Sequence, residues 1–93
     1  MSRQNPSYLK ATENHSKQCT LIAMEECSEL IQAISKAKRG KLNKNNLTEE
    51  IADVLICIHW LQKIYNITME DIYEWMDKKE DRIMNKLNKG EFM

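Results

Sequence analysis

Five acidic residues carry the chemistry that this sequence can offer: Glu25, Glu26 and Glu29 in one segment, Glu50 and Asp53 in the next. Residues three apart on a helix project from one face, so Glu26 neighbours Glu29 and Glu50 neighbours Asp53. One stripe of the first segment reads Ile22, Glu26, Glu29, Ala33, Ala37, and the matching stripe of the second reads Leu47, Glu50, Asp53, Cys57, Trp60, Ile64. In both, the acids lie in line with apolar residues that should face a core. The commonest use of an acid pair on a helix is a solvated face, which usually mixes in Lys or Arg at i+4. Here Ala33, Val54 and Cys57 hold those places after Glu29, Glu50 and Asp53. Converging carboxylates repel by roughly 1 to 4 kcal/mol per contact, depending on the effective dielectric, and buried charge persists when it is paired or binds a metal. Neither stripe holds a Lys or Arg. A cation must therefore come from outside. All-oxygen ligands favour Mg²⁺ or Mn²⁺ over zinc. A di-iron bundle would want Glu-x-x-His, and neither His15 nor His59 has a Glu three residues before it. Mg²⁺ held by carboxylates commonly completes its shell with substrate phosphates, which makes a nucleotide the expected substrate.

The elements that position these acids are helical. From about Ser16, apolar residues recur at three- and four-residue steps through Cys19, Ile22, Ala23, Leu30, Ala33 and Ala37. Lys36, Lys38, Arg39 and Gly40 form a stop signal. Asn46 with Glu49 three residues on reads as the cap of a second helix, which runs through Ile64 and breaks at Tyr65-Asn66-Ile67. Thr68 with Asp71 caps a third helix that ends at Gly90. Residues 1–15 read as a polar arm with room for one short helical turn, 16–89 as the helical domain and 90–93 as a tail. The expected fold is all-α, three long helices plus a short N-terminal segment forming a helical bundle. Ile51 to Leu61 is apolar almost all the way round, more than one short helix pair can cover. A homodimer or homotetramer is expected to complete the bundle.

Composition excludes several alternatives. Two Gly and one Pro in 93 residues argue against a turn-rich β fold. Fourteen basic residues balance fourteen acidic ones, which gives no general affinity for nucleic acid or membrane. Three cysteines without a C-x-x-C pair suit a reducing compartment. The N-terminal residues lack the pattern of a signal peptide, and the longest apolar stretch is too short for a bilayer. A cytoplasmic location is expected.

Glu25-Glu26-x-x-Glu29 followed by Glu50-x-x-Asp53 on consecutive helices resembles the all-α, MazG-like nucleoside triphosphate pyrophosphohydrolases, from about Ile22 to Arg82. That superfamily also includes dimeric dUTPases, dCTP pyrophosphatases and phosphoribosyl-ATP pyrophosphatase. The resemblance implies Glu26, Glu29, Glu50 and Asp53 as metal ligands, with Glu25 as an outer ligand or the group that orients the attacking water. It also implies a basic K-x-x-R pair that holds the phosphates. Lys79 and Arg82 fit that spacing, although a solvated basic face explains them as well. The implied reaction is cleavage of an NTP or dNTP by water to NMP and pyrophosphate, between the α and β phosphates. The phosphoribosyl-ATP branch fits less well, because Ile56-Cys57 stands where its members carry Tyr-His. Trp60, two turns after Asp53, offers a face for base stacking, though an aromatic at that spacing more often packs in a core. His59 reads as a core or interface histidine. Two rivals remain: a non-catalytic helical interaction module of the same fold, and a carboxylate-bundle metal carrier.

Overall fold

Local signals in the chain start and stop each helix of the computed structural model, which describes residues 5–92. Helix α1 spans Pro6–Lys38. The Asn5 side chain accepts from the Ser7 amide at 2.9 Å, and Pro6 sits where the missing N–H costs nothing. The helix closes where the Lys41 amide reaches the Lys36 carbonyl at 2.9 Å, with Gly40 in the left-handed region at φ +78°. Helix α2 spans Lys44–Tyr65 and ends on Asn66 at φ 55°. Helix α3 spans Met69–Asn88 behind a complete Thr68–Asp71 capping box.

Two details depart from the sequence reading. The cap of α2 is Asn43, whose side chain accepts from the Asn46 amide at 3.0 Å, so Asn46 lies inside the first turn. Asn43 and Asn46 can both cap, and the earlier one adds a turn of hydrogen bonds. The N-terminal arm is more than one turn: helix runs from Pro6 and is interrupted at His15, whose φ −138° and ψ 36° are not helical. Tyr8 anchors it, with its ring stacked on His59 of α2 at 5.0 Å and 9° between planes.

The fold is all-α, with three helices and no strand among the described residues. Helices α1 and α2 form an antiparallel-type hairpin joined by a short loop, and its core is Tyr8, Cys19, Ala23, Ala33 and Cys57. Small residues on α1 let the two backbones approach closely. Helix α3 comes within packing distance of neither α1 nor α2, and none of its twenty residues is buried. The radius of gyration is 16.1 Å, against about 12 Å for a compact domain of this length. Leu21, Met24, Ile31 and Ile51 remain exposed on the hairpin, and Tyr73, Met76, Ile83 and Leu87 on α3. No helix among the described residues is long and apolar enough to cross a membrane.

Candidate metal centre

The two acid stripes face each other across the hairpin. Ala33 behind Glu29 and Cys57 behind Asp53 are buried, so the backbones that carry the acids sit close together. Carboxylate oxygens of Glu26, Glu29 and Glu50 all lie within 4.8 Å of one another. A second group, Glu49, Glu50 and Asp53, meets the same limit and shares Glu50 with the first. Glu50 is only 7% exposed; Glu26 and Asp53 are half-buried and Glu29 is open to solvent.

Crowding leaves a clear electrostatic mark. Burial, the adjoining Asp53 carboxyl and the charges of Glu29, Asp53 and Glu50 push Glu26 up to about 7. Burial, followed by the Glu29 carboxylate and then Asp53 and Glu49, raises Glu50 in the same direction. Burial first, and then the Glu26 charge, lifts the neighbouring Cys57 thiol to about 11, so that thiol stays protonated and unreactive. Oε2 of Glu26 and Oε2 of Glu50 are buried without any hydrogen-bond partner. Buried polar atoms in native proteins are satisfied in the great majority of cases. Two orphan anionic oxygens in one cluster, with no Lys or Arg on either stripe, fit a divalent cation. The all-oxygen donor set suits a hard ion such as Mg²⁺ or Mn²⁺.

The remaining candidates separate. Glu25 is exposed and outside both groups, one turn before Glu29 on the outer shoulder of α1. Trp60 is half-buried and lines a cleft of about 210 Å³ together with Ile22, Glu26, Asp53, Ile56 and Cys57. It therefore shares a cavity with two of the acids. His59 is buried against Tyr8, away from the acids. Lys79 and Arg82 are exposed on α3, which a single chain does not bring to the cluster. Glu49 was missed by the stripe argument because it flanks the Glu50 stripe. Its spacing of four from Asp53 was the available signal.

Such an arrangement defines a class: all-helical proteins that gather carboxylates from two neighbouring helices into a donor set that suits a hard cation. Residues 14–87 match the model of the MazG nucleotide pyrophosphohydrolase domain, and the chain belongs to that family. No curated protein and no solved structure gives a significant match.

Proposed function

We propose that the protein is a Mg²⁺-dependent hydrolase that converts an NTP or dNTP and water to NMP and pyrophosphate. The observation that carries this reading is the convergence of Glu26, Glu29, Glu50 and Asp53, with two buried oxygens left without partners. These four residues would hold the cation, with Mn²⁺ as an alternative to Mg²⁺. When bound, the ion neutralises phosphate charge and lowers the pKa of its water. Glu25, exposed beside Glu29, is suited to orient the attacking water or to act as an outer ligand. Trp60 and Ile56 give the cleft an apolar wall on which a base or sugar can rest.

Lys79 and Arg82 hold the leaving phosphates in this reading, and they reach them in a homodimer or homotetramer. The support is that α3 buries nothing in its own chain, while the hairpin leaves Leu21, Met24, Ile31 and Ile51 uncovered. Three unpaired cysteines suit a reducing cytoplasm. The catalytic unit is residues 16–89, preceded by the arm and followed by a short tail.

A panel of NTPs and dNTPs, including modified bases, is incubated with Mg²⁺ and assayed for pyrophosphate, alongside Glu29→Gln and Asp53→Asn. Release from at least one nucleotide, lost in both variants, is the expected result. A wild-type protein that neither binds Mn²⁺ nor releases pyrophosphate from any member of the panel overturns the proposal.

A further inference from the structure

Charge along the α1–α2 hairpin is segregated. Between residues 25 and 53 the only acids are the six at 25–29 and 49–53, and the only bases are Lys36, Lys38, Arg39, Lys41 and Lys44. These bases gather at the tip where α1 turns into α2. All five are exposed, and no acid lies from residue 30 to residue 48. Part of the pattern has a local cause. Lys36 and Lys38 fall in the last turn of α1, where a cation suits the negative pole of the helix, and Nε of Arg39 donates to the Ser35 carbonyl at 3.3 Å. Lys41, in the loop, and Lys44 have no such cause. Lys44 opens α2, whose first turn holds no acid, and the positive pole of a helix disfavours a cation there. Helix α3, by contrast, opens with Glu70 and Asp71. Broken local rules concentrate at functional positions.

We infer that this basic tip draws the triphosphate of the substrate towards the carboxylate cluster. The inference rests on the hydrolase reading above and adds to it the residues that set how fast substrate arrives. A triphosphate stays anionic with one Mg²⁺ bound, so the six acids oppose its approach. Lys36 lies seven residues beyond Glu29, about 10 Å along the helix axis and near the same side of α1. The Debye length is about 10 Å at 0.1 M salt, so the potential of the tip extends to the edge of the cluster. Lys79 and Arg82 cannot provide this field within one chain, because α3 does not pack on the hairpin. At the other end of the hairpin the basic charge is sparser, and Lys63 shares its surface with Glu13. Five cations without a neighbouring acid raise the local concentration of a polyanion on one side of the cluster and steer its encounter.

The test uses inorganic tripolyphosphate with Mg²⁺ as the probe and the full chain throughout. Binding is followed in stopped flow by tryptophan emission, since Trp60 lines the cleft beside Glu26 and Asp53. Lys36→Gln/Lys38→Gln/Lys41→Gln should lower the association rate about tenfold or more at about 0.05 M salt and leave the dissociation rate unchanged. The gap should close at about 0.5 M salt, where screening shortens the Debye length to about 4 Å. Lys10→Gln/Lys17→Gln/Lys63→Gln removes the same net charge away from the tip and should keep the wild-type rate. With the nucleotide that the wild type hydrolyses, the tip variant should lose kcat/KM by the same factor at unchanged kcat. An unaltered kcat/KM in the tip variant overturns the inference and leaves the hydrolase reading standing. So does an equal loss in the control variant, which makes net charge the cause, or a gap that persists at high salt, which makes it a short-range contact. A wild type that neither binds the probe nor releases pyrophosphate takes down both readings.

Discussion

Glu26→Gln separates the electrostatic account of the cluster from a purely geometric one. In the metal-free protein, burial, the Asp53 carboxyl and the surrounding charges hold Glu26 at about 7, above its ordinary value of 4.5. The folded state thus binds this proton more tightly than the unfolded state. Its contribution to stability is complete below about pH 4.5 and is lost as pH rises through about 7. Glu50, raised by burial and by Glu29, acts with the same sign. Metal-free wild type should therefore melt lower at pH 8 than at pH 5.5, and Glu26→Gln should flatten most of that slope. A bound cation reverses the trend, because it needs deprotonated ligands. At free Mg²⁺ tenfold above its Kd, linkage adds about 1.4 kcal/mol, or roughly 6 to 11 °C in Tm for a domain of this size. Loss of a direct ligand should weaken binding by at least the tenfold that outer-shell changes typically cause. The remaining shift at the same Mg²⁺ is then about 0.4 kcal/mol, roughly 2 to 3 °C. Calorimetry in buffers of different ionisation enthalpy should also find about half a proton released per binding event at pH 7 and most of one at pH 6, from the Glu26 value. Mg²⁺ uptake at pH 6 without proton release would refute the reasoning. So would a Glu26→Gln protein with the full wild-type rise in Tm.

Two further outcomes follow from the parts around the cluster. Arg82→Ala should lower kcat/KM about 10- to 150-fold, the range of a lost hydrogen bond to a charged group, while Mn²⁺ binding stays unchanged. Mixing it with Glu29→Gln should restore about a quarter of wild-type activity if subunits exchange and the phosphates are held by a partner's α3, and none if each chain works alone. Tyr8→Leu removes the ring stacked on His59 at 5.0 Å and should cost about 0.5 to 1.5 kcal/mol, seen as a lower Tm, with metal binding intact.

Capping chemistry and the periodic apolar residues made most of the fold legible. The Thr68–Asp71 box and the Gly40 stop lie where the sequence puts them, because these signals act within one turn and need no tertiary context. Where two caps competed, as at Asn43 and Asn46, local chemistry alone did not choose between them. The N-terminal helix was less legible, since its strongest tie, Tyr8 to His59, spans fifty residues. Glu26, Glu50 and Asp53 were legible as inward-facing acids because each lay on an apolar stripe, whereas Glu29, on the same stripe as Glu26, stays open to solvent and still meets Glu26 and Glu50. Glu49 lies at the edge of its stripe and joins the cluster beside Asp53, a placement carried by its four-residue spacing from Asp53 and not by the apolar stripe.

Helix α3 is best understood from how its residues segregate around the axis. Ile72, Met76, Ile83 and Leu87 fall on one narrow stripe at four- and seven-residue steps. Lys79, Arg82 and Lys86 fall beside that stripe with Trp75, whereas Glu74, Asp77 and Asp81 lie round the far side. Helices in proteins take most of their stability from packing an amphipathic face, and α3 has no packing partner in its own chain. The surface that covers its stripe must also accept a row of cations along one edge. The α1–α2 hairpin of another copy offers both features, with exposed Ile22 one turn before Glu26 beside an acidic cluster whose donor set suits a hard cation. Covering the apolar stripe and delivering Lys79 and Arg82 to the phosphates are then one event, so assembly and catalysis should fail together when the stripe, rather than either base, is altered.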